Sequence, residues 1–304
     1  MARFVQMLQK SGVFADQNFM IVPQGGFNLV YLRDSAGFQI MHDRRLKVHD
    51  VKADQVERIA TEYLRAREGS PGSIDRLLQL RTVMHNSVNK SARGKLLQVW
   101  ANGSGIPVLT AKSGTVSLKL DVAILRRKEY TVSFKFLKHT MPAGALVPAT
   151  TLTTESTSTW MNKLNWIFGA QANVYFKSID AAWVTLRTTA SQPMTFEEFE
   201  QSLIPHKHKD AALTCFLVGK YKGANSGSEA AGTYSPSHKV CVLDDGPTHG
   251  IFDDLNFDSF IGVMAHEFTH FAGGNHHNRG RFLMSHGIET LDFDKQLVVE
   301  LNAW

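Results

Sequence analysis

The sequence predicts an α/β (α+β) protein, and three observations carry the prediction. Strand-like and helix-like segments alternate along the second half, as a sheet covered by helices requires. Within that half, 212–219 is an apolar run interrupted only by Thr214, the pattern of a strand buried on both faces. The first half has its own strands and a helical pair, and its charge has the opposite sign. Residues 1–150 carry 22 Lys/Arg against 11 Asp/Glu, whereas residues 151–304 carry 11 against 17. A length of 304 residues suits two domains. The change of pattern after Leu125 divides the chain into a smaller basic α+β domain, 1–126, and a second domain, 127–304.

Each element has a local reason. Phe19–Val22 and Phe27–Leu32 read as strands around Gly25-Gly26. Val56, Ile59, Tyr63 and Leu64 repeat at helical spacing. Ser70-Pro-Gly-Ser73 breaks that helix, and Ser73 can cap a second one through Ile74, Leu77, Leu78 and Met84, giving a helical hairpin with basic outer faces. Leu96–Trp100, Ile106–Thr110 and Val116–Leu125 are β-like stretches separated by glycine-containing turns. Tyr130–Leu137 alternates as a strand does. The Ser/Thr-rich stretch Thr150–Thr159 can cap a helix carrying Trp160, Met161, Leu164, Ile167 and Phe168. Val174–Ile179 is a further strand, and Gly232–Leu243 is a strand pair in which Pro236 marks an edge or turn. A helix starts near 257 with Phe257, Phe260, Ile261, Met264, Phe268 and Phe271 on its apolar side, and Asp294–Trp304 forms a short last helix.

Several classes are excluded by composition. With 43% apolar and 20% charged residues the chain is neither disordered throughout nor a coiled coil. No apolar run approaches the roughly 18 residues that span a bilayer as a helix. Met1–Lys10 lacks the apolar core of a secretory signal, which predicts a cytoplasmic protein or one exported without a cleaved leader. Cys215 and Cys241 lie in apolar strand-like runs and read as two buried thiols, with a single bridge as the alternative. The net charge of +5 sums a basic and an acidic half, so an anionic partner would belong to 1–126.

The chemically informative segment is His266-Glu-Phe-Thr-His-Phe-Ala-Gly-Gly-Asn-His276. Histidines at i and i+4 of one helix project side by side and can share a metal ion. Glu267, one residue round, can reach a water on that metal without ligating it. Gly273 permits the positive φ that ends the helix and turns the chain, so that His276 approaches from outside. Three histidines with an open fourth position are the arrangement of catalytic zinc, whereas structural zinc is closed by four protein ligands. Such a site lowers the pKa of its water toward about 7, and Glu267 is placed to accept the proton and return it to the leaving nitrogen.

This segment resembles the extended HExxHxxGxxH zinc motif of the metzincin clan of metallopeptidases. The likeness covers residues 127–304, with the zinc segment as its specific part. It implies a zinc endopeptidase with a twisted mixed sheet, a zinc-binding active-site helix and a C-terminal helix. It also implies His266, His270 and His276 as ligands of Zn2+, Glu267 as the catalytic base, and Met284 in a Met-turn beneath the metal. His286 stands where some members have a tyrosine that assists the transition state; it is either an oxyanion donor or weak ligand, or a histidine exposed on the turn. His277 is an alternative to His276, which the family spacing favours. Members bind peptide in extended form along an edge strand, here Gly232–Ser237. Arg279 and Arg281 can bind substrate carbonyls or remain solvated. The aspartates at 244, 245, 253, 254 and 258 lack a calcium-loop spacing and read as a solvated acidic surface. No cysteine precedes Cys215, which excludes latency through a propeptide cysteine, and the cysteines of a second, structural zinc are absent.

Other readings remain open on sequence alone. A leaderless toxin or effector protease suits the two-part build, and a zinc amidase would use the same groups on a non-protein amide. A non-catalytic, zinc-supported binding protein for an anionic partner would need neither Glu267 nor an open coordination position.

Overall fold

A computed structural model describes residues 2–8, 11–68, 74–89, 93–139, 150, 152–186, 196–219, 232–244, 251–252, 257–276, 283–284 and 293–302. The protein is α/β and its chain forms two compact units. The first comprises Met1–Lys128, Asn165–Val174 and Asp292–Trp304; the second comprises Glu129–Leu164 and Tyr175–Leu291.

The first unit opens with β1 (Arg3–Gln6), β2 (Val13–Phe14), β3 (Phe19–Pro23), β4 (Phe27–Arg33), β5 (Gln39–His42) and β6 (Leu46–Asp50). The helices α1 (Val56–Glu68) and α2 (Ile74–Asn89) follow, then β7 (Gly94–Ala101), β8 (Val108–Ser113) and β9 (Val116–Leu125). One sheet has the order β1-β4-β7-β6 and the other β2-β3-β9-β8-β5. Alternate residues of both sheets, among them Val30, Leu32, Leu97 and Val99 from one and Met20, Val22, Leu120 and Val122 from the other, share one buried cluster. This two-residue period is what two packed sheet faces demand. On α1, Val56, Ile59, Ala60, Tyr63 and Leu64 form the buried stripe that the helical spacing predicts. The Tyr63 ring lies 6.1 Å from Phe27. The strands β1, β2, β5 and β6, which the sequence reading does not anticipate, are short, and β5 buries too little to leave an apolar pattern.

The second unit is built on β10 (Lys128–His139), the N-terminal part of α3 (Thr157–Ala172), whose remainder from Asn165 belongs to the first unit, β11 (Val174–Leu186), α4 (Phe196–Leu203), β12 (Leu213–Val218), β13 (Gly232–Ser235) and β14 (Val240–Asp244). The short strands β15 (Ile251–Phe252) and β16 (Phe257–Asp258) lead into α5 (Ser259–Phe271), and α6 (Lys295–Asn302), which belongs to the first unit, ends the described chain. The mixed sheet of the second unit has the order β11-β10-β12-β14-β13. Strands β10, β12 and β14 are parallel, while β13 runs antiparallel to β14 and is an edge. All six residues of β12 are buried, Thr214 among them, as its apolar run predicts. One sheet face meets helices: Trp160 of α3 packs 5.8 Å from Phe134 and 5.2 Å from Phe260 of α5, and Phe176 packs 5.0 Å from Phe268. The opposite face gathers Leu137, Phe216, Val218, Val240 and Val242 with Leu203 of α4. On that face Ser133 and Lys135 of β10 both bond the Asp180 carboxylate of β11.

Within the first unit, the C-terminal part of α3 and the last helix pack together, with Phe168 and Phe293 5.2 Å apart. The Asp294 carboxylate accepts the Leu297 N–H at 2.7 Å and caps α6.

Four local expectations change. Phe257 is paired to Phe252 in β16 and precedes the helix instead of lying on its apolar side. Strand β11 runs to Leu186, well past Ile179. Thr153, preceding the short 3-10 turn before α3, makes no side-chain capping bond. The helix α4 has no counterpart in the sequence reading. Ser73 lies outside the described residues.

Candidate metal centre

The two histidines of α5 owe their placement to the helix itself, since i and i+4 lie one above the other. Gly273 turns the chain. It has φ +103, and the bonds Gly273 N–H to His270 O (3.1 Å) and Gly274 N–H to Thr269 O (2.9 Å) form a Schellman C-cap. Among the described residues, chain neighbours aside, no atom lies within 4 Å of where a Cβ would stand on Gly273, so its backbone conformation, not crowding, calls for glycine.

The turn returns His276 to the helix. Its Nε2 lies 2.9 Å from His266 Nε2 and 3.1 Å from His270 Nε2. Among the described residues, this is the group of His, Cys, Asp and Glu side chains placed to hold a metal ion. Both helix histidines bond a backbone carbonyl through Nδ1: His266 to Leu283 O at 2.8 Å and His270 to Gly274 O at 3.1 Å. A carbonyl only accepts, so each Nδ1 carries the proton and each Nε2 turns a lone pair toward the shared point. Converging lone pairs repel unless a cation lies between them. Tetrahedral zinc with bonds of about 2.05 Å would hold nitrogens about 3.3 Å apart, close to the observed spacing. The donor set fits zinc. Burial lowers the His270 pKa, against the Gly274 carbonyl, and favours the neutral ligand form.

Glu267 is 7% exposed, on the side of α5 that faces β13 and β14. Burial pushes its pKa up to about 7, against a hydrogen bond from the Tyr234 backbone N–H. Helix and edge strand approach closely because Gly232 has no side chain. A Cβ there would stand 2.7 Å from Val263 Cγ1 and 2.9 Å from Glu267 Cγ. Behind Glu267, Cys215 and Cys241 occupy paired positions of β12 and β14, free and buried. Burial holds the Cys241 thiol well above its ordinary range, so it stays protonated and inert.

Met284 and Leu283 are fully buried, and it is the Leu283 carbonyl that orients His266. His286, His277, Arg279, Arg281 and the aspartates at 245, 253 and 254 lie outside the described residues. Asp244 is buried at 6% exposure, which corrects its reading as part of a solvated surface. The carbonyls of Leu283 and Gly274, the Tyr234 N–H and the bare Cα of Gly232 were not legible as site groups. Of these, Gly232 alone carries a residue-type signal, a glycine opening a strand.

No family model matches the sequence, and no curated protein matches it. Among solved structures, the chain is similar to archaemetzincin from Methanopyrus kandleri, at 10% identity and TM-score 0.40 over 58% of this chain and 94% of that one. It is also similar to a zinc-dependent peptidase from Methanocorpusculum labreanum, at 11% identity and TM-score 0.38 over 57% of this chain and 100% of that one. Domains 1-6 of the surface layer protein SbsC align over 38% of this chain with a TM-score of 0.21. Among the described residues no helix is long and apolar enough to cross a membrane.

Proposed function

We propose that this chain is a zinc-dependent endopeptidase, with His266, His270 and His276 as the metal ligands and Glu267 as general base. One observation carries the reading: three imidazole Nε2 atoms converge, two of them with Nδ1 committed to carbonyls, and the buried carboxyl of Glu267 follows His266 on the same helix. Zinc, when bound there, supplies a Lewis acid for the scissile carbonyl and acidifies water. Glu267 takes the proton of the attacking water and passes it to the leaving nitrogen. Burial raises the pKa of this carboxyl and so strengthens it as a base. The Leu283 and Gly274 carbonyls hold the rings against rotation. Met284, buried next to the Leu283 whose carbonyl holds His266, would supply an apolar floor to the site, and an extended peptide would pair with the outer edge of β13.

The test joins metal analysis to cleavage of unfolded casein with and without chelator. Glu267→Gln should lower turnover by about 10³-fold or more while binding zinc as the wild type does. A folded, zinc-loaded wild type that cuts no member of a proteome-derived peptide library would overturn the proposal.

A further inference from the structure

The second unit carries a basic cluster beside the β13–β14 turn, built from two distant segments. The turn, 236–239, contributes His238 and Lys239; the segment after α4 contributes His206, Lys207, His208 and Lys209. Their backbones are tied. The Lys207 ammonium donates to the His238 carbonyl, the His208 N–H donates to the Thr214 hydroxyl, and the Thr214 N–H donates to the Lys239 carbonyl. Three lysines and three histidines thus meet in a half of the chain whose Lys/Arg number 11 against 17 Asp/Glu. Two acids lie nearby. Asp180, held by Lys135 and Ser133, also faces His208, and the exposed Asp210 follows Lys209, so the lysines outnumber the facing carboxylates by three to two. Among the described residues no carboxylate forms an ion pair with Lys207, Lys209 or Lys239.

The cluster continues the line of β13. Glu267 Cγ lies against Gly232, so a reacting carbonyl sits level with the start of that strand. From Gly232 to the end of β13 at Ser235 is about 10 Å of strand, and the turn follows at once. A peptide extended along the edge would therefore carry side chains over the cluster about three to six residues from its scissile bond, on one side only.

We propose that this cluster is a substrate subsite selecting acidic side chains at those positions. The proposal rests on the peptidase reading above and names its substrate class: extended peptides with Asp or Glu several residues to one side of the cut. Recognition by exposed ammonium groups is electrostatic, so it must fade with salt.

The test uses the zinc-loaded full chain. Cleavage-site profiling on a proteome-derived library should show Asp and Glu enriched on one side of the cut. For a matched pair of peptides with Asp or Asn there, the ratio of kcat/KM should be about five- to thirty-fold at low salt, as two or three exposed ion pairs provide. It should fall toward one at high salt. The double variant Lys209→Glu, Lys239→Asn should bring the ratio near one; asparagine tolerates the φ of +54 at position 239. Cleavage without acidic enrichment, or a ratio unchanged in the double variant, overturns the subsite while leaving the peptidase reading intact. If nothing is cut, the peptidase reading fails, and fluorescence anisotropy of the labelled Asp and Asn peptides on the same protein still decides. Equal binding of the two overturns the subsite as well.

Discussion

Replacing Gly232 by alanine places a methyl group where helix and edge strand already touch. It would lie 2.7 Å from Val263 Cγ1, 2.9 Å from Glu267 Cγ and 3.0 Å from Leu243 Cδ2, against an ordinary contact of 3.4 Å or more. Overpacking of this kind costs about 1–3 kcal/mol. The same displacement pulls the Glu267 carboxylate from the Tyr234 N–H that holds it. Misplacing a catalytic group by about 1 Å costs up to about 10²-fold in rate. Gly232→Ala should therefore lower kcat on a fluorogenic peptide by about 10- to 100-fold while zinc content stays at wild type. A second substitution, Val263→Ala, removes the closest contact and leaves the one to Glu267. It should recover part of the lost stability in thermal melts but little of kcat. Wild-type kcat in Gly232→Ala, or full recovery of kcat in the double variant, would refute the reasoning.

The pH dependence of stability should carry the Glu267 signature in metal-free protein. Its folded pKa of about 7 exceeds the ordinary 4.5, so the folded state binds the proton more tightly and stability falls as pH rises between those values. The loss is about 3 kcal/mol in all, and the difference between wild type and Glu267→Gln in chelator-treated melts isolates it from the histidines. Gly273→Ala forces a positive φ on alanine and should cost about 1–2 kcal/mol; it should also weaken zinc binding in competition with a chromogenic chelator, because His276 depends on that turn. Asp180→Ala leaves the Lys135 ammonium, 11% exposed, without its carboxylate. A loss of about 3 kcal/mol in urea unfolding is expected, larger than that of Lys135→Met.

The histidine segment was legible because its geometry is local. The spacing of His266 and His270 on a helix, and the φ that Gly273 adopts, follow from residue types over eleven positions. The apolar run of β12 likewise announced a strand covered on both faces. What stayed hidden acts through groups every residue possesses. The carbonyls that hold His266 and His270 belong to Leu283 and Gly274, and the N–H that holds Glu267 belongs to Tyr234, none distinguished by its side chain.

The sequence by itself determined which histidines α5 offers side by side, because a helix converts spacing into direction without help from the rest of the chain. Tertiary structure decided their chemical state. Packing of α5 on β13 buries Glu267 and raises its pKa, and the carbonyl partners choose the histidine tautomers. It also decided where charge gathers. Residues 206–209 and 238–239 are remote in the chain and meet because β12 pairs in parallel with β14, which brings the beginnings of both strands to one end of the sheet. Burial and long-range pairing are properties of the folded whole, which is why no local pattern announces them.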